Sequence, residues 1–129
     1  MHPSIPRPRA LIALIVLLAA GAGFSLAVTG NAVLGDAPTD TVTGLSTLSV
    51  SGTTAINTSN VTSTGTQTYA GAVTLGTNTT LSGVGITLGS TVKSDGTNRS
   101  LSINDSGTTT LTGAIGGTAN IDGEKLSSL

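Results

Sequence analysis

Cysteine is absent from the 129 residues, so no disulfide framework and no thiolate metal site can form. Aromatics make up 2 % of the chain and are limited to Phe24 and Tyr69. Charged residues make up 9 %. With so few cations there is no basic patch to follow a phosphate backbone, which excludes nucleic acid as a partner. The single histidine is His2, at the extreme N-terminus, so a Ser-His-Asp site has no base anywhere beyond it. Strong net charge, the usual companion of disorder, is also missing, since the formal balance is −1.

What is abundant is one short phrase. One or two aliphatic residues alternate with Thr or Ser, and Gly or Asn closes the phrase. Examples are Leu48-Ser49-Val50-Ser51-Gly52, Val73-Thr74-Leu75-Gly76, Ile86-Thr87-Leu88-Gly89 and Leu111-Thr112-Gly113. A period of two is the strand signal, and regular Gly or Asn is the turn signal. The pattern predicts strands near residues 46–51, 67–75, 85–92, 100–104, 108–115 and 119–121.

The N-terminus reads as an address. Arg7 and Arg9 precede residues 10–28, which carry no charge. A positive segment followed by an apolar one is the pattern of a secretory signal, with Ala20-Gly21-Ala22 and Ser25-Leu26-Ala27 as small-residue cleavage sites. The other reading is an uncleaved membrane anchor of apolar helix, since the stretch reaches the lower length for a span. Both readings put the chain from residue 29 onward outside the cytoplasm. Residues 29–40 read as a linker because Gly30, Asn31, Gly35, Asp36 and Pro38 interrupt few apolar residues.

The phrase is repeated at long range. Gly65-Thr66-Gln67-Thr68-Tyr69-Ala70-Gly71-Ala72-Val73 has an echo in Gly107-Thr108-Thr109-Thr110-Leu111-Thr112-Gly113-Ala114-Ile115, forty-two residues later. Leu48-Ser49-Val50 also echoes Leu101-Ser102-Ile103, at a different offset of fifty-three. Repeats on this scale indicate solenoids, propellers or arrays. Propellers want aromatics, leucine-rich repeats want a Leu-x-x-Leu-x-Leu frame, and helical arrays do not tolerate this much Thr, Gly and Val. The remaining fold is all-β: a parallel β-helix, or β-solenoid, of about four short coils over residues 41–122. In such coils aliphatic residues fill the inside, Thr and Ser face water, and Gly and Asn turn the corners. One apolar helix is expected before it and a short tail, 123–129, after it. Both ends of so short a stack are open edges, which invite continuation of the stack or self-association.

Two stretches carry a family likeness. Residues 64–83, Thr-Gly-Thr-Gln-Thr-Tyr-Ala-Gly-Ala-Val-Thr-Leu-Gly-Thr-Asn-Thr-Thr-Leu-Ser-Gly, resemble the strand repeats of filamentous-haemagglutinin-like adhesins and autotransporter passengers. So do residues 101–117. The resemblance implies a right-handed parallel β-helix, secretion through an envelope and display at the cell surface, with a host or surface glycan or protein as ligand. It brings no catalytic residue and no cofactor to this chain.

Other chemistry has few candidates. Asp95, Asp105, Asp122 and Glu124 are the carboxylates to examine for glycoside hydrolysis, and each sits beside Gly, Ser or Asn as turn carboxylates do. Asp95-Gly96-Thr97-Asn98 and Asp122-Gly123-Glu124 offer oxygen ligands for calcium but match no calcium loop. Sequons occur at Asn57, Asn60, Asn78, Asn98 and Asn104, as chance allows in Thr- and Ser-rich text. Thr64, Thr66 and Thr68 suggest the threonine ladders of ice-binding solenoids, but their spacing does not repeat strictly along the chain. The expectation is a structural or adhesive segment with no catalytic or metal site. The alternatives are a small anchored protein with a flexible tail and a polysaccharide-active fragment.

Overall fold

The computed structural model describes residues 13–14, 23–116 and 126–129. Among the described residues, fourteen short strands follow one another: β1 (Ala13–Leu14), β2 (Phe24–Val28), β3 (Ala32–Leu34), β4 (Thr41–Val50), β5 (Thr54–Ile56), β6 (Asn60–Ser63), β7 (Gln67–Tyr69), β8 (Val73–Leu75), β9 (Thr79–Gly83), β10 (Ile86–Leu88), β11 (Val92–Ser94), β12 (Arg99–Asp105), β13 (Thr110–Leu111) and β14 (Leu126–Ser128). Every pairing is parallel. The chain is therefore a β-solenoid of about four turns.

The strands stack on three faces. One is a five-stranded sheet in the order β1-β3-β5-β8-β11. The other two belong to one nine-stranded sheet hinged on β4, the longest strand. The first part of β4 carries β6, β9, β12 and β14, and its second part carries β2 on one side and β7, β10 and β13 on the other. Each full coil contributes one strand to each face, with β4 supplying two in the first.

Alternation decides what goes inside. On β5, β7, β8, β10 and β11 the outer two of three residues are buried and the middle one is half exposed. One buried column is Leu48, Gln67 and Ile86, and the next is Val50, Tyr69 and Leu88. Backbone hydrogen bonds run along the stack even at the corners. Ala32 N donates to Thr53 O (2.8 Å), Thr54 N to Ala72 O (2.9 Å), Val73 N to Thr91 O (2.8 Å) and Val92 N to Ala114 O (2.9 Å). Each coil thus satisfies the polar backbone of its neighbour.

The forty-two-residue echo is two coils. Val73 pairs with Val92, and Val92 bridges Ile115, which are steps of nineteen and twenty-three. The echo at fifty-three has a different origin. Leu48 stacks on Gln67 while Leu101 stacks on Thr79, so the two phrases lie on different faces.

Several expectations change. The single strand expected over 67–75 is two strands, β7 and β8, with a corner at Gly71. The one expected over 85–92 divides into β10 and β11, and 108–115 shrinks to β13 plus the Ile115 bridge. Strands β5, β6 and β9 had not been expected; each is three to five residues long, too short for a periodicity to declare itself. The expected linker, 29–40, contains β3, with Ala32 and Leu34 buried, because its Gly, Asn and Pro residues turn corners of the first full coil. The apolar helix expected within 10–28 is replaced at Ala13–Leu14 and Phe24–Val28 by strands paired to β3 and β4. Leu26 and Val28 alternate inward over Leu48 and Val50, a period that suits a strand. Residues 10–12 and 15–22, and the strand expected at 119–121, lie outside the described residues. Leu126–Ser128, expected as tail, pairs with β12.

Candidate functional site

The corners carry the polar chemistry. Asp105 closes the corner between β12 and β13. One carboxylate oxygen accepts Gly85 N and Gly107 N, both at 2.7 Å, and the other accepts Ile86 N (2.9 Å) and Thr109 Oγ1 (2.7 Å). These partners depress its pKa to about 2, with Gly85 N–H the largest cause and desolvation opposing. Two of them belong to the preceding coil, so the carboxylate fastens one coil to the next. Gly85 takes φ 87° there, a conformation that L side chains rarely adopt, and so turns its N–H toward the carboxylate.

Asp95 sits at the corner between β11 and β12. It accepts Thr97 N (3.3 Å) and meets Arg99 through Nε (3.2 Å) and a second, longer nitrogen contact (3.4 Å). The Arg99 side chain is the main reason its pKa lies below the ordinary value. Asp40 does similar work before β4, accepting Asp36 N (2.9 Å) and Ala37 N (3.1 Å), which also hold its carboxyl low. These are turn carboxylates occupied by their own corners. Asp122 and Glu124 lie outside the described residues. Among the described residues, no group of three His, Cys, Asp or Glu could hold a metal ion. The same residues contain no helix long and apolar enough to cross a membrane.

Two of the sequon asparagines are corner links as well. Asn78 Oδ1 accepts Ser100 N (3.0 Å), and Asn57 Nδ2 donates to Gly35 O (3.4 Å). The threonines arrange themselves differently from their spacing in the chain. Ser49, Thr68, Thr87 and Thr110 stand in one continuous column on the outer side of a single face. Steps of nineteen and twenty-three put them in line although the chain interval is not constant. Thr64 is at a corner, outside that column. A shallow groove follows the same corner across three coils, between Thr64, Ser82, Val84 and Asn104.

A polar group inside the solenoid went unnoticed in the sequence. Gln67 is fully buried, and its Nε2 donates to Val61 O (3.2 Å), Ser63 Oγ (3.2 Å) and Ser82 O (2.8 Å). Its Oε1 accepts the Tyr69 hydroxyl (2.7 Å), and Ser63 Oγ donates to Gly65 O (2.8 Å). Burial pushes the Tyr69 phenol well above its ordinary pKa, so it stays a neutral donor. The available signal was composition: Gln67 is the only glutamine and Tyr69 one of two aromatics, two residues apart in a strand phrase. Thr54 is the counterexample, a buried hydroxyl with no hydrogen-bond partner, standing in a column between Ala32 and Val73 as a β-branched filler.

These features define a parallel β-solenoid in which Asp40, Asp95 and Asp105 are engaged at the corners of the coil. Comparison with family models, curated proteins and solved structures finds no match.

Proposed function

We propose that this chain is an exported structural segment, a β-solenoid stalk or adhesion module that performs no catalysis. The observation that carries the reading is the use of the carboxylates. Asp40, Asp95 and Asp105 are each engaged by corner amides or by Arg99, and the outward strand positions are mainly Thr and Ser. A hydroxyl-covered rod with few charges suits display and contact, with a surface glycan or protein as ligand and stack ends open to self-association. The adhesin-like text of residues 64–83 and 101–117 supports the same reading, including a right-handed coil.

Arg7, Arg9 and the apolar residues after them supply the export signal. Cleavage after Ala22 gives up the two-residue β1 but leaves β2 whole, whereas cleavage after Ala27 also removes most of β2, and an anchor reaching residue 28 takes both strands out of their sheets. We therefore favour cleavage after Ala22, with residues 10–22 as the segment that enters the membrane.

A reporter enzyme active only outside the cytoplasm, fused after Leu129, tests export in a bacterial host. It is expected to be active with residues 1–22 present and inactive without them. Mass spectrometry of the exported product is expected to find Gly23 as its first residue. Activity that does not depend on residues 1–22 overturns the proposal.

A further inference from the structure

The Gln67 network solves a problem that the repeat creates. A slip of two residues between stacked strands keeps every inward side chain inward, so alternation alone cannot forbid it. The corners do not measure the register either. Ile56 reaches the next strand start, Asn60, in four residues, while Leu34 reaches Thr41 in seven at the same corner of another coil. Extra length is absorbed there without disturbing the stack. On the face of β7 and β10 the buried positions around the network are aliphatic: Leu48 and Val50 in the coil before, Ile86 and Leu88 in the coil after. Leu, Val and Ile accept a two-residue shift with little change in burial.

Gln67 does not. Its two amide hydrogens are shared between Val61 O and Ser63 Oγ of its own coil and Ser82 O of the next. Its carbonyl takes the Tyr69 hydroxyl. A two-residue slip of β7 against β10 carries the amide away from Ser82 O and leaves buried donors and acceptors unmatched, which is the costly outcome for polar groups in an apolar interior. We infer that Gln67 and Tyr69 form a register key, which selects one alignment of the second and third full coils from others that bury the same apolar surface. Their role is positioning; they touch no ligand. The inference rests on the solenoid alone and not on export or adhesion.

The chain has no cysteine, so introduced pairs report register without ambiguity. Thr68 and Thr87 are paired across β7 and β10, both with outward side chains. A Thr68→Cys/Thr87→Cys pair therefore reads the native register. Thr66 lies two residues earlier on the same outer side, and a Thr66→Cys/Thr87→Cys pair reads the slipped one. In the native stack that second pair is diagonal, roughly 8 Å apart and beyond disulfide reach. Each pair is placed in the full chain with Gln67 and Tyr69 intact, with Tyr69→Phe, and with Gln67→Leu/Tyr69→Phe, then oxidised. With the network intact, the native pair is expected to close and the slipped pair to stay open. In Gln67→Leu/Tyr69→Phe the slipped disulfide is expected to rise at least tenfold at the expense of the native one, with no fall in melting temperature. Tyr69→Phe, which removes only the hydroxyl, is expected to lie between. A slipped yield unchanged in Tyr69→Phe, or in the cooperatively folded double variant, overturns the inference, because Thr79 Oγ1 on Thr58 O (3.0 Å) would then suffice to hold the alignment.

Discussion

The third and fourth full coils use the same three faces and similar text, yet only the third buries its aliphatic residues on every face. In the third, Val73, Leu75, Leu81, Ile86 and Leu88 are all buried. In the fourth, Val92 and Leu101 are buried, Ile103 is partly covered, and Leu111 is 41 % exposed. Leu88 and Leu111 are partners in one column, and Leu88 is 1 % exposed. The difference lies in what is stacked above. The third coil has a neighbour on both sides along all three faces. Above the fourth, the described residues supply only the Ile115 bridge and β14. Burial in this fold belongs to the neighbour as much as to the residue.

The sharpest way to break the interior is at its closest backbone approach. Gly71 turns the corner before β8, where an added Cβ would meet the Gly52 carbonyl, and Gly113 meets Ser90 in the same way one end further on. Gly71→Ala is expected to cost ~3 kcal/mol or more in chemical denaturation, because backbone on the facing coil must move. Gly113→Ala is expected to cost less than half of that, since the terminal coil can loosen by itself. Equal losses would show that the whole stack unfolds as one unit.

A second contrast separates the two leucines. Leu88→Ala is expected to lose about 2–5 kcal/mol and Leu111→Ala below ~1 kcal/mol, read from urea midpoints. A large loss at Leu111 would mean that residues outside the described set cover it.

The smallest effect is a pH dependence at the outer corner. Asp105 titrates near 2 when folded, below the ordinary carboxylate value of about 3.9. Its contribution is therefore complete above pH ~4 and is lost as pH falls through about 2. Protection of the Gly85, Ile86 and Gly107 amides, taken relative to the intrinsic exchange rate at each pH, is expected to fall over that window, and Asp105→Asn is expected to remove the dependence. Protection at these three amides that stays flat from pH 5 to about 2 would count against the fastening role.

The comparison also explains what could be seen in the sequence. Alternation and corner residues announced short strands and turns because they are local, and local signals survive without neighbours; the parallel coils came from the long-range repeat. The repeat at forty-two residues appeared because Thr68 and Thr110 recur after one short and one long coil. The single-coil period stayed hidden. The extra residues at 35–40 and 95–100 fall at the same corner, so the interval changes from coil to coil while the stack does not. Asp95 and Asp105 were legible as turn residues from their Gly, Ser and Asn neighbours. The Gln67 network was not, because its acceptors at Val61, Ser63 and Ser82 come from two different coils, and only the fold brings them to one amide.

The direction of the hydrogen bonds has a mechanical consequence. Strands lie across the long axis, and the bonds between coils, such as Val73 N to Thr91 O, run along it. Tension applied between the two ends loads these bonds one row at a time, as a zip is opened, rather than shearing many together. A released coil of nineteen residues pays out roughly 65 Å of chain while the coils beneath it remain closed. A rod built this way lengthens in steps under a pull, and each step can be taken back when the pull relaxes.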